Sequence, residues 1–133
     1  MKSIFLALAL IATGVQAAEE ADTSPCDAVE NDQQTVECSA YSKTTAEQLL
    51  NDNYKNLVER MQALYANNKT QLNDITNKLK TAQQQWLKLR DADCAVEAFP
   101  AAVGSKAYTI AHNDCVARMS DERSEFLESV GQE

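Results

Sequence analysis

Apolar residues recur at helical spacing in two successive stretches of the chain. In the first, the steps are four, three, four and three residues, at Leu50, Tyr54, Leu57, Met61 and Leu64. The second keeps the same alternation at Leu72, Ile75, Leu79, Ala82, Trp86, Leu89 and Val96. Steps of three and four place side chains on one face of a helix. We therefore predict two long helices that form an antiparallel hairpin through their apolar faces.

Polar residues separate the two stretches and predict where the helices end. We expect the first helix to begin between Asp32 and Ser39 and to end at about Ala66. The segment 67–69, Asn-Asn-Lys, is typical of a turn because asparagine tolerates the left-handed conformation. Thr70 is the predicted N-cap of the second helix.

A third helix is predicted after a break in the pattern. The second helix should end near Phe99, since Pro100 cannot continue it. Residues 101–105 then form a loop, and a helix follows from about 106 to 130. Its apolar stripe comprises Ala111, Cys115, Met119, Phe126 and Val130. The expected fold is all-α, with a helical hairpin covered by a third packed helix.

The N-terminus has the features of a secretion signal. Lys2 precedes an apolar run over 4–12, and the small residues of segment 15–17, Val-Gln-Ala, suit a signal peptidase. Residues 1–17 are therefore a predicted signal peptide, with the mature protein beginning near Ala18. A membrane anchor is the alternative, but the apolar run is shorter than the roughly 20 residues that span a bilayer.

The rest of the chain is predicted to be one exported domain. Residues 18–25 are small and acidic and end in a proline, which favours a disordered leader. Residues 26–133 form the predicted helical domain. A signal without a lipobox cysteine or a later apolar span indicates a periplasmic or secreted protein.

The charge balance narrows the class of partner. The whole chain has a formal net charge of −8, and losing residues 1–17 removes only Lys2, which leaves −9. A negative surface repels nucleic acid and anionic lipid and favours cationic proteins. The same charge also serves simply to keep an exported protein soluble.

Four cysteines in a small exported chain indicate two disulfides. Cys26–Cys38 with Cys94–Cys115 is the pairing that we favour. Cys38 and Cys94 lie at similar distances from the turn, so the pairing Cys38–Cys94 with Cys26–Cys115 stays open. The conformation of segment 27–37 decides between them: a helix there would separate Cys26 and Cys38 by about 16 Å, beyond the reach of about 7 Å of a disulfide.

Few residues suit catalysis or metal binding. His112 is the only histidine, and an acyl-transfer site lacks its base and nucleophile. A zinc site needs clustered thiolates, whereas these cysteines are spread along the chain. The acidic group Asp91, Asp93 and Glu97 lacks the loop spacing of a calcium site. We therefore expect no cofactor, no metal and no enzymatic activity.

A run in the second helix resembles a known family. The segment 82–94 begins with Ala-Gln, continues through Trp86 and Arg90-Asp91, and ends at Cys94. This run is similar to the signature of the secreted LprI-type lysozyme-inhibitor family. Further matching positions are Cys26, Cys38, Tyr41, Leu50, Tyr54, Leu57, Gly104, Ser105, Cys115, Ser120 and Arg123. Departures occur at Val103, where the family often has glycine, and at segment 36–37, Val-Glu, where it has Met-Asn.

The resemblance implies lysozyme inhibition. An inhibitor must block a cleft, which helical faces do poorly unless a loop projects from them, and the loop over residues 103–108 is the best candidate. Gly104, Ser105, Lys106 and Tyr108 are the candidate lysozyme contacts. Lys106 would meet the enzyme's catalytic carboxylates, and Tyr108 would supply an aromatic anchor. The structural alternative is that Gly104 allows the turn and Ser105 caps the helix.

The other signature residues are predicted to be structural. Trp86 lies on the apolar face of its helix. Arg90 and Asp91 are expected to fix the end of the second helix or to pair with the third, and Arg123 is a plausible partner of Asp91.

Two hypotheses of function follow. The first is a non-catalytic inhibitor that binds a cationic C-type lysozyme. The second is an envelope interaction or assembly protein whose heptad faces bind a partner helix or a second copy, as a homodimer. Salt discriminates between them, because it weakens electrostatic capture and preserves apolar association.

Overall fold

A computed structural model describes residues 23–132 as three α-helices, with no strand in that range. The helices are α1 (Asp32–Leu64), α2 (Lys69–Ala98) and α3 (Lys106–Ser129). This confirms the all-α prediction. Each helix ends one to two residues before the expected position, and α1 and α3 begin where they were expected to begin. The predicted signal peptide and most of the predicted leader lie outside the described residues.

Asparagine side chains cap the first two helices. Asn31 accepts a hydrogen bond from the backbone N–H of Gln34 at the start of α1. At the start of α2, Asn68 accepts one from the N–H of Gln71 at 3.0 Å. The prediction that Thr70 caps α2 was therefore wrong. The helix begins at Lys69, so Thr70 already lies within its first turn, and the carbonyl of the Asn68 side chain satisfies a free N–H there.

The core is formed by side chains from all three helices. Its buried members are Leu50, Leu57, Met61, Leu79 and Leu127. Each large apolar side chain removed from water contributes about 1.5–3 kcal/mol, which makes this cluster the main source of stability. Trp86 and Tyr54 pack against the cluster while remaining partly exposed.

The main packing partner of α1 is α3. The backbones of α1 and α2 lie close together over a much shorter length of the two helices. Four positions of the predicted apolar seams are consequently exposed: Ala82, Leu64 by 60%, Leu89 by 54% and Val96 by 72%. On α3, Phe126 was expected to face the core but is 50% exposed, and its neighbour Leu127 is fully buried instead. The helices α1 and α2 therefore form the predicted hairpin, but their apolar faces pack against α3 as well as against each other.

Two disulfides have the favoured pairing. Cys26–Cys38 has a Cα–Cα distance of 4.7 Å, and Cys94–Cys115 one of 5.4 Å. The first is possible because α1 begins only at Asp32, so the preceding residues form a loop that folds back onto the helix. The second joins α2 to α3 in a small buried cluster with Val116. The alternative pairing of Cys38 with Cys94 is excluded.

Polar contacts align α1 with α3 at both ends. Arg60 donates to backbone carbonyls where α3 ends, and Asn113 donates to the hydroxyl of Ser39, with 3.2 Å between Nδ2 and Oγ. The start of α1, the end of α2 and the start of α3 therefore lie together. We call this region, residues 24–47 and 88–118, the disulfide end.

Candidate functional site

The connection between α2 and α3, residues 99–105, is a tight turn at the disulfide end. Gly104 has a φ of 84°, in the left-handed region that favours glycine. Three backbone hydrogen bonds hold the turn: Phe99 N–H to Val96 O, Ala101 N–H to Ala98 O, and Ser105 N–H to Ala102 O. The turn is thus an ordered connection with its own hydrogen bonds.

The four candidate contact residues have different surroundings. The hydroxyl of Ser105 accepts from the N–H of Tyr108 at 3.1 Å and donates to the carbonyl of Ala102 at 2.6 Å, so it caps α3 as the structural alternative predicted. The half-buried ring of Tyr108 stacks on His112, with 5.9 Å between ring centroids. Gly104 and Lys106 are exposed. Only these two are freely presented to a partner.

The turn also presents apolar side chains that the sequence analysis did not select as contacts. Val96 is 72% exposed, Phe99 82% and Val103 85%. We call these three residues the apolar tip. A phenylalanine before Pro100 and a valine beside Gly104 are unusual in a turn, and this could have identified them from the sequence.

The disulfide end, which carries the apolar tip, has most of the net negative charge of the described residues. The disulfide end has nine acidic and five basic side chains. The remaining described residues, 48–87 and 119–132, have seven acidic and six basic side chains. The disulfide end therefore has a net charge of −4, against −1 for the remaining described residues.

Two charged groups on α3, Arg118 and Asp114, have raised pKa values. Arg118 pairs with Glu97 on α2 and with Glu122 one turn further along α3. The hydrogen bond and charge of Glu97 raise the pKa of Arg118. Burial raises the pKa of Asp114 above the ordinary value of an aspartate.

Arg90 is buried, and its side chain links the three helices. Its Nη1 lies 3.1 Å from a carboxylate oxygen of Glu47 on α1 and 3.4 Å from the hydroxyl of Ser120 on α3. Its Nη2 donates to Asp91 at 3.0 Å. The predicted pair of Asp91 with Arg123 was wrong, because the neighbouring Arg90 takes the carboxylate of Asp91.

Arg123 instead stacks on aromatic rings. Its guanidinium lies 5.6 Å from the centre of the Trp86 ring and 4.7 Å from that of Phe126, and it donates to the side chain of Gln83. Arg90 lies 5.6 Å from the Trp86 ring as well. Burial lowers the pKa of Arg123, but a guanidinium stays charged at neutral pH. Trp86 itself packs against the core cluster.

The described residues contain neither a candidate metal site nor a candidate membrane-spanning helix. Within residues 23–132, no group of three or more histidine, cysteine or acidic side chains is placed to hold a metal ion. None of the three helices is both long enough and apolar enough to cross a membrane.

The fold is a small three-helix domain, and its two disulfides fit an extracytoplasmic location. The sequence model of the family described as "Lysozyme inhibitor LprI" matches residues 26–127, and the chain belongs to this family. This confirms the resemblance found in the sequence. The chain is also similar to a DUF1311 family protein from Pseudomonas putida KT2440 with a solved crystal structure. The two are 42% identical, the match covers 80% of this chain and 99% of that one, and the TM-score is 0.71. The comparison with curated proteins gives no match.

Proposed function

We propose that this chain is a non-catalytic exported protein that binds a cationic C-type lysozyme and blocks its cleft. Membership of the LprI family supports this proposal. The observation that carries it is the combination of an acidic surface and an exposed turn at the disulfide end. Inhibition of this kind requires occupation of the enzyme's cleft and no chemistry by the inhibitor.

Charge complementarity would bring the two proteins together. Opposite net charges accelerate encounter, and the effect falls as salt shortens the range of the interaction. Within the contact, the exposed Lys106 is proposed to approach the enzyme's catalytic carboxylates. Tyr108, with Gly104 and Ser105 shaping the turn before it, is proposed to add aromatic contact area.

Export fits this function. The two disulfides fit an extracytoplasmic location, where such bonds persist. We propose that residues 1–17 are the signal peptide and that the mature protein acts in the periplasm or outside the cell. There it would meet lysozyme before the enzyme reaches peptidoglycan.

Hydrolysis of peptidoglycan by a C-type lysozyme, measured with increasing amounts of the oxidised mature protein, tests the proposal. We expect inhibition that saturates near one inhibitor per enzyme and weakens with salt. Lys106→Ala should weaken inhibition, with Lys69→Ala as the matched control, because both lysines are exposed and each begins a helix. Tyr108→Ala should also weaken it. Undiminished hydrolysis at low salt would refute the proposal.

A second candidate function is assembly through the outer face of α2. Leu89 and Val96 continue the heptad spacing of that helix yet are exposed, which leaves an apolar stripe for a partner helix or a second copy. Sedimentation velocity at rising salt tests this alternative. A dimer that persists in high salt and dissociates in Leu89→Ser would support it, and a monomer throughout would oppose it.

A further inference from the structure

We infer that the apolar tip is the part of the interface that enters the partner's cleft, with Phe99 as its principal anchor and Val103 beside it. The inference rests on the proposed function and names the residues that provide the binding energy. They differ from the four contacts predicted from the sequence, which are Gly104, Ser105, Lys106 and Tyr108.

Exposure singles out the tip. The three most exposed large apolar side chains of the described part are Val103, Phe99 and Val96, all within one short stretch of the chain. Scattered apolar side chains on a surface are ordinary, but a contiguous group of them marks an interaction site. Aromatic side chains that become buried at the centre of an interface often dominate its binding energy.

The tip is held in place before any partner binds. Cys94–Cys115 joins the two helices just below the turn, and both cysteines are buried. Ala98, beside Phe99, is 1% exposed, so the end of α2 is fixed in the structure. Backbone hydrogen bonds and the Ser105 cap order the remainder of the turn. A preorganised contact loses little conformational entropy on binding and so gains affinity.

Charge selects the kind of partner. The net negative charge of the disulfide end would repel an anionic membrane surface, although exposed apolar side chains alone would suit one. A second copy would bring the same negative surface against the first. A cationic protein with a cleft suits both the negative charge of the disulfide end and the exposed apolar tip. Its charge complements the carboxylates, and its cleft removes Phe99 and Val103 from water.

The shape of the site agrees with a concave partner. The flat side of a helix cannot reach into a cleft, whereas the α2–α3 turn lies at the extremity of two connected helices. Apart from its neighbours in the chain, Gly104 has no atom within 4 Å of where a Cβ would stand, so a partner can approach the turn closely.

The test is calorimetric titration of a purified C-type lysozyme at low salt with Phe99→Ser, Val103→Ser and a control, Leu64→Ser. Leu64 is also exposed but lies at the opposite end of the bundle. We expect Phe99→Ser to weaken binding by about tenfold or more and Val103→Ser by about threefold or more, while Leu64→Ser stays within about twofold. Thermal melting of each variant shows that the fold is retained.

The possible outcomes distinguish a failure of this inference from a failure of the proposed lysozyme binding on which it rests. Wild-type binding with unchanged affinity in both tip variants would overturn the inference and leave the proposed function standing. No binding by the wild type would overturn both. Sedimentation of the same proteins and co-sedimentation with anionic vesicles complete the test. A dimer or a vesicle complex that Phe99→Ser abolishes, with lysozyme affinity unchanged, would assign the tip to another partner and overturn the inference.

Discussion

Arg90 on α2 and Glu47 on α1 form an ion pair, with 3.1 Å between Nη1 and Oε1. The side chain of Arg90 is only 10% exposed, and that of Glu47 is 34% exposed. Because the backbones of α1 and α2 come close over only a short length, this pair adds to the apolar contacts that join the two helices in the core. The same guanidinium reaches Ser120 on α3, so one buried charge fixes the relative positions of all three helices.

Replacement of Arg90 should therefore destabilise the protein. Arg90→Met keeps most of the side-chain volume but leaves Glu47 and the buried Ser120 hydroxyl without their partner. We expect the free energy of unfolding to fall by about 2–3 kcal/mol in urea denaturation, as for lost hydrogen bonds to charged groups. Lys88→Met, at an exposed position of the same helix, should change it by less than about 0.5 kcal/mol. Equal effects of the two substitutions would contradict the role of Arg90.

Arg60 stabilises the C-terminal end of α3 from a neighbouring helix. Its Nη2 lies 2.7 Å from the carbonyl oxygen of Leu127 and 3.2 Å from that of Val130, where carbonyls lack partners within their own helix. Arg60→Met should cost about 1–3 kcal/mol of stability and speed amide exchange in the last turn of α3. Lys55→Met on α1 is the control. Stability unchanged by Arg60→Met would show that water replaces the guanidinium without loss.

The two disulfides should contribute unequally to the stability of the fold. Cys94–Cys115 closes the longer loop, with a sequence separation of 21 against 12, and it lies in the core. Removing it by Cys94→Ala with Cys115→Ala should cost about 3–5 kcal/mol, whereas Cys26→Ala with Cys38→Ala should cost about 2–3 kcal/mol. Urea denaturation of both double variants gives the comparison. A larger loss from the Cys26–Cys38 pair would contradict this ranking.

Two glycines in the left-handed region provide a matched comparison. A Cβ at Gly104 would meet open space, while one at Gly131 would lie 2.6 Å from the terminal methyl of Met61. Gly104→Ala should therefore cost only the backbone strain, about 1–2 kcal/mol. Gly131→Ala should lower the stability further, since the side chain of Met61 must also move within the core. Thermal unfolding of both variants checks the order, and equal losses would show that Met61 adjusts freely.

The sequence predicted the helices well because their signals are local. Spacing by three and four residues, Pro100 and the serine at position 105 each act within a turn or two of the chain. The favoured disulfide pairing was also correct, because residues 27–31 form a loop that allows Cys26 to reach Cys38. The cap at Asn68 was missed because Asn67, Asn68 and Thr70 are all suitable capping residues, and local pattern does not choose among them.

The packing could not be predicted in the same way. A heptad face shows that a helix has a partner but not which one, so the preference of α1 for α3 was not visible, nor was the exposure of Leu89 and Val96. Arg123 was assigned to Asp91 by charge alone, whereas rings brought together by folding determine its position. The apolar tip was missed although Phe99 and Val103 are unusual residues for a turn, because the degree of their exposure is a property of the packed molecule.

Amide hydrogen exchange of the oxidised protein, with and without a saturating C-type lysozyme at low salt, tests most directly whether the disulfide end binds the enzyme. We expect exchange to slow in residues 99–106 and in the adjoining end of α2, while residues 64–72 at the α1–α2 turn keep their rates. Unchanged exchange throughout the chain, or protection confined to the α1–α2 turn, would contradict binding through the disulfide end.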